Sequence, residues 1–469
     1  MLIVNGEDIL KKPDYTVQCG KGTAVYSPTE RTLTLNNAEI TKTSPDHSSM
    51  GILLQGPADD TEWKLVLKGA NTIDLKTPIG NGVYTTQKLS IYGTGSLDIL
   101  LQSSPTSHGI FGLKGVSISG VTLNTSLIGD TQEGDGISSY YYIDCNNLKG
   151  MIDGASTGMN SVYDDIEVKG ESSLEMKNMG FGMTGKNILV DHSNVTIRGT
   201  KTDYNGVMAR TGSIKILNDS NFDVESQYPS LWAGLGIDID KSTVTAKTST
   251  NNASIYIDNN NFTARDSKIE GNSVGSVIYV NRGETKIDSC VMNLKSDNYL
   301  GMYASGISVG GTSTDIKIES KDRGIRCEAD MVINDGKLSV ISSASEGIRV
   351  NGQLSINGEV HAKGKAAAVS ARKVSAQADI NTAPVEPAPE IILNSNYMET
   401  SGAKIAFTDW GLENFNNDPK QRWVSYASFI PQNVDKLNTL TDAAKEIRIT
   451  KVPPAPSDPL AYDRYKAVQ

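Results

Sequence analysis

DRGIRCEADMVINDGKLSVISSASEGIRVNGQLSINGEVHAKG, residues 322–364, carries one unit nearly twice. Gly324-Ile325 returns 23 residues later as Gly347-Ile348, and Gly336-Lys-Leu338 returns after 22 as Gly358-Glu-Val360. Outward from this stretch, Gly followed by Ile, Val or Met also stands at Gly51, Gly82, Gly109, Gly136, Gly158, Gly182, Gly206 and Gly301. Ser254-Ile255 and Ser276-Val277 keep time in the long interval before Gly301. A period of roughly 20–50 residues marks a solenoid, in which each repeat buries its apolar face only against its neighbours.

A second register shares the period. A small or polar residue precedes an apolar one by two positions at Gly95/Leu97, Ser119/Val121, Asn146/Leu148, Ser172/Leu174, Ser193/Val195 and Ser220/Phe222. The series continues through Ser242/Val244, Ser267/Ile269, Ser289/Val291, Thr314/Ile316, Gly336/Leu338 and Gly358/Val360. Two registers on one period require at least two strands meeting at a fixed corner. Inside each repeat the alternation is two, as in Ile237-Asp-Ile239 and Leu338-Ser-Val340, which signals half-buried strands. Asn, Asp, Ser and Gly punctuate the runs and supply turn conformations.

These patterns predict an all-β, right-handed parallel β-helix of about thirteen turns, each rising by about 4.8 Å. An antiparallel sandwich would instead need hairpin signals every 8–12 residues or so. The expected organisation is an N-terminal cap over 1–32, the coil over 33–381, a C-terminal cap over 382–452 and a tail over 453–469. Leu33-Thr-Leu35 opens the first turn, and three prolines in TAPVEPAPE, residues 382–390, end the repeats. Trp410, Trp423, Phe407, Phe415 and Phe429 beyond them suggest a small separate core.

Composition narrows the function. The 469 residues are 38% hydrophobic and 6% aromatic, with 44 Gly, as a core one side chain deep requires. A net charge of −10, from 44 basic and 54 acidic residues, argues against nucleic acid as a partner. No apolar run reaches the roughly 18 residues of a membrane-crossing helix. The opening MLIVNGEDILKK has too short an apolar run for a secretory leader, so an extracellular chain would have lost one. Cys19, Cys145, Cys290 and Cys327 form no CxxC pair and read as core thiols.

Residues 322–364 resemble the repeats of secreted bacterial β-helix proteins of the carbohydrate-binding-domain type, relatives of the pectate-lyase-like superfamily. The opening VNGEDI…GTAVYSPTERTLTLNNAEI, with LVLKGANTI and LSIYGTGSLDI, is similar to the start of many gut-bacterial surface proteins of this kind. The resemblance implies an extracellular β-helix, often calcium-binding, which in some members holds acidic polysaccharide. The chain departs from calcium-rich members in lacking a regular Asp-Gly-Ile-x-x-Asp.

The hydrolases of that superfamily use an NTDGxD motif and a Gly-His-Gly. Here there is only His108-Gly109 and the pair Asp164-Asp165, whose side chains alternate across a strand. A lyase would need clustered carboxylates with a basic residue, for which Arg323 and Arg326 lie near Asp322, Glu328 and Asp330 in sequence. Calcium takes about six to eight oxygens. Its candidate ligands are Asp135, Asp322, Glu328, Asp330 and Glu346, with Asp322 and Glu346 one turn apart; the plainer reading is a solvated row of corner charges. Sugar recognition combines aromatic rings with polar groups, and the candidates are Tyr140, Tyr141, Tyr142, Tyr228 and Trp232, in two excursions from the repeat. The plainer reading is that these rings shield the core. The histidines His47, His108, His192 and His361 are dispersed.

The expectation is a non-enzymatic, extracellular or cell-surface protein for carbohydrate binding or adhesion. It would be monomeric and require no cofactor, with calcium optional, and its partner would be a polysaccharide, acidic ones included. A polysaccharide lyase or hydrolase and a structural spacer or fibre are the alternatives.

Overall fold

A computed structural model describes residues 1–43, 49–56, 62–75, 80–129, 133–200, 204–365, 367–376, 379–381, 397–400, 423–425 and 446–450. The chain divides into two compact units, 1–247 and 248–469. Each unit coils through three strands per turn, here called leading, middle and trailing. In 1–247 one turn runs His108–Gly112, Val116–Ser119, Thr122–Ile128, and the next runs Asp135–Ser139, Ile143–Asn146, Lys149–Asp153.

The Gly-Ile beat is the leading strand. Ile52, Val83, Ile110, Ile137, Met159, Met183, Val207 and Leu231 pair in parallel register one after another. In 248–469 the corresponding column runs Ile255, Ile278, Met302, Ile325, Ile348 and Val369. Middle strands contribute Leu65, Ile91, Ile118, Cys145 and Val168 to the interior. Middle strands such as Val116–Ser119 and trailing strands such as Thr122–Ile128 alternate, because a parallel rung places every second side chain inward, whereas the leading strand Asp135–Ser139 is buried at every position.

The repeat glycine is a packing device. A Cβ on Gly109, Gly136 or Gly182 would overlap or crowd Thr125, Ile152 or Ile197, which reach across from the trailing strand. Where the glycine is lost, the volume is exchanged. Ile278, not Val277, pairs with Ile255, so Val277 fills the glycine slot, and its Cγ1 occupies the space that glycine leaves at Gly271. This corrects the reading of Ser276-Val277 as the beat.

The second register is corrected in the same way at three turns. Leu97 pairs with Leu123 and Leu123 with Gly150, so Val121 and Leu148 occupy the corner while Gly150 vacates the interior. Met292, not Val291, aligns with Ile269, and Cys290 takes the corner. At the other corners the small residues bond across turns. Ser172 Oγ accepts the Leu148 N–H at 3.0 Å and Ser220 Oγ that of Ser193 at 3.2 Å. The bend between middle and trailing strands needs a left-handed residue, and Asn147, Glu171, His192, Asp219 and Lys241 meet it with φ between 47° and 63°.

At the start, Leu2–Val4 lies antiparallel on Met50–Leu54, and Thr16–Cys19, Gly22–Ser27 and Thr32–Asn36 form an antiparallel ribbon. Thr32–Asn36 then pairs in parallel with Glu62–Lys68. Of 382–452, the strands Tyr397–Thr400, Trp423–Ser425 and Glu446–Thr450 are described; Trp410, Phe407, Phe415, Phe429 and 453–469 lie outside the described residues. Among the described residues no helix is long and apolar enough to cross a membrane.

All four cysteines are buried and none is in a disulfide. Burial pushes the Cys19 and Cys327 thiols up to about 11 and Cys145 further still. A raised thiol favours the folded state wherever the unfolded thiol would be protonated. That contribution is whole below 9.0 and is lost as pH climbs from 9.0 through about 11. Native protein at pH 8 should therefore leave all four thiols unlabelled by a thiol-disulfide reagent and expose them on unfolding; stability should fall between pH 9 and 11. Rapid labelling of the native chain would contradict the placement.

Candidate functional site

The site lies in the unit 1–247 and is built from two columns of the leading strands. The first is the residue just before each repeat glycine: Asn81, His108 and Asp135 are register partners on successive turns. The second points outward two residues after each glycine, through Leu53, Tyr84, Phe111, Ser138 and Asn160. Tyr84 and Phe111 stack at 5.1 Å and 13°. At the next turn the column steps down from a ring to the hydroxymethyl of Ser138, and that step opens a cleft of about 400 Å³.

Tyr140 forms the second wall. Its ring stands 5.9 Å from Phe111 at 85°, and 6.0 Å from Tyr163 at 76°. Tyr141 meets Tyr163 at 6.3 Å. Tyr140, Tyr141 and Tyr163 are 44%, 49% and 66% exposed, a large solvent-facing aromatic area for one place on a chain so poor in rings.

The polar side is a relay. Asn81 Oδ1 accepts the His108 backbone N–H at 2.9 Å, and the His108 ring lies 5.1 Å from Phe111. His108 Nδ1 is 3.4 Å from Asp135 Oδ2, an ion-pair distance, but the angle closes no hydrogen bond. Asn160 Nδ2 donates to Asp135 Oδ2 at 3.1 Å, while Arg210 Nη2 donates to Asn160 Oδ1 at 3.1 Å. A guanidinium only donates, so Arg210 fixes which face of the Asn160 amide meets Asp135. Arg210 Nη1 is anchored on the carbonyls of Ser161 and Val162. Burial lowers the pKa of this guanidinium and the charge of Asp135 opposes that shift.

Asp135 and Tyr140 are thus brought together, with Tyr141 beside them. Tyr140–Tyr142 is not a long excursion but the link between strands Asp135–Ser139 and Ile143–Asn146, and Tyr142 covers Gly115. Tyr228 and Trp232 lie elsewhere and line no part of the cleft. The beat near them is carried by Ser230-Leu231, since Leu231 pairs with Val207; Trp232 is the outward residue next to Met208. His108, set aside as dispersed, was legible: like Asp135, it stands immediately before a repeat glycine.

The other expected calcium ligands, in 248–469, face cations and amides. Arg323 bridges Asp322 at 3.4 Å and Glu346 at 2.9 Å, and Arg349 reaches Glu346 at 3.4 Å. Burial works against ionising Glu346, but the Ser345 hydroxyl, its backbone N–H and the two arginines outweigh it and hold the carboxyl below its usual range. Glu328 takes Arg326 at 2.7 Å and Asn351 at 2.5 Å, and Asp330 Oδ1 accepts the Gln353 N–H at 2.8 Å. Among the described residues, no three His, Cys, Asp or Glu are grouped to hold a metal ion.

The outward column there is Tyr256, Tyr279, Tyr303 and Arg326. The rings stack at 5.6 Å and 3°, then 4.5 Å and 14°, with Arg326 5.6 Å over Tyr303. Rings so stacked cover one another's faces and offer mainly edges, so this column presents no flat platform to a sugar. Each unit is a parallel β-helix. No family model, curated protein or solved structure matches the chain. The likeness carried by residues 322–364 is therefore one of architecture.

Proposed function

We propose that the chain is a non-catalytic carbohydrate-binding protein, secreted or displayed at a cell surface, that holds polysaccharide at the Tyr140 cleft. One observation carries this reading: three solvent-facing tyrosines stand beside a cleft whose polar side, His108, Asp135 and Asn160, is held in place from behind by Arg210. Rings for the apolar faces of sugars and fixed polar groups for their hydroxyls are what such sites combine. Glycoside hydrolysis needs two carboxyl groups about 5–9.5 Å apart. Among the described residues, Asp135 is the only carboxylate lining the cleft, and Asp165 instead binds the Asn187 backbone and amide at 3.2 and 2.8 Å. This favours binding over catalysis.

A glycan array with and without a calcium chelator tests the proposal. Binding to at least one polysaccharide is expected, and Tyr140→Ala should weaken it at least about tenfold, the loss of a well-placed aromatic contact. No glycan binding in either condition would overturn the proposal.

A further inference from the structure

We infer that the glycan taken at this cleft is uncharged, and that Asp135 is the group that excludes acidic sugars by repulsion while accepting hydroxyls from neutral ones. The inference rests on the carbohydrate reading and names the ligand class for the same site. Among the described residues lining the cleft there is a single carboxylate and no lysine or arginine. The Arg210 guanidinium stands behind Asn160 and directs its bonds at the Asn160 amide and the carbonyls of Ser161 and Val162. It props the polar wall through these three bonds and is not among the residues that line the cleft.

Asp135 Oδ2 already receives Asn160 Nδ2, which fixes the carboxylate in the wall. A fixed carboxylate accepts from sugar hydroxyls, and charge-assisted bonds of this kind are about twice as strong as neutral ones. The apolar walls, Phe111 and Tyr140, suit the C–H faces of a hexose. A ligand carboxylate entering the same space meets Asp135 in a half-enclosed site, where screening is weaker than in water, and meets a chain of net charge −10. Arg210 offsets only part of the Asp135 charge from behind, and the remainder faces the ligand.

A matched pair isolates the charge: oligogalacturonate and its fully methyl-esterified form, at equal length, titrated onto the full chain alongside neutral galactan, mannan and xylan oligosaccharides, each with and without EDTA. The uncharged glycans should bind at least about tenfold tighter than the acid, with no effect of EDTA. Asp135→Asn, which keeps the shape, should weaken the uncharged glycans and shrink the discrimination to within about threefold. Acid binding as tight as ester binding, or acid binding abolished by EDTA, would overturn the inference while leaving the carbohydrate reading intact. Failure of every glycan, charged and uncharged, would overturn that reading itself. Should Asp135→Asn not fold, by circular dichroism, the wild-type comparison still decides.

Discussion

Gly324→Val is expected to destabilise the 248–469 unit by about 3 kcal/mol or more, read as a lower urea midpoint. A Cβ at this position would overlap Val340 Cγ1 and lie 2.6 Å from the Gly347 carbonyl oxygen. Val340 cannot turn aside. It is β-branched, hence stiff at χ1, and it is locked in register between Ile318 and Ala362. A second change, Val340→Gly, should recover much of the loss, because it removes the side chain that the new Cβ would meet. Gly306→Val is the control: a Cβ there meets nothing nearer than Glu284 Cγ at 3.4 Å, so its midpoint should barely move. Equal losses at the two positions would show that the glycine beat reflects backbone conformation and not interior volume.

Phe222→Ala should cost the 1–247 unit about 3–5 kcal/mol. Phe222 is wholly buried, in the trailing strand Asn221–Ser226, and pairs with Val195. The neighbours available to collapse into the hole are held by parallel ladders on both sides of the rung, so little relaxation is open to them. Phe222→Leu should cost about 1.5 kcal/mol or less, because most of the volume is kept. Comparable midpoints for the alanine variant and the wild type would mean that the interior repacks freely, contrary to the close packing the ladders impose.

The coil was legible because its rule is local. Glycine or serine followed by an aliphatic residue, once per turn, places Ile325 under Ile348 without any long-range information. The misread positions share one cause. At Val277, Leu148 and Cys290 the small and large members of the motif trade places, and a one-residue slip moves a side chain to the other face. The trade shows only across turns, where Gly271 makes room for Val277 and Gly150 pairs with Leu123. At the site, Asp135 and Tyr140 were picked out singly, by residue type. Their association with His108, Phe111 and Asn160 follows from equal offsets from successive glycines, a signal present in the sequence at His108-Gly109 and Asp135-Gly136. Arg210 was not legible, since its bonds reach back 48–50 residues to Asn160, Ser161 and Val162.

The contact between Gly271 and Val277 joins two windings that otherwise look like independent copies. A gene duplication or crossover that broke the chain between them would deliver one half of the trade without the other, leaving either a hole or a clash. Those two windings are thus a single heritable module, and recombinants that respect the boundary on either side of the pair should be the ones that survive.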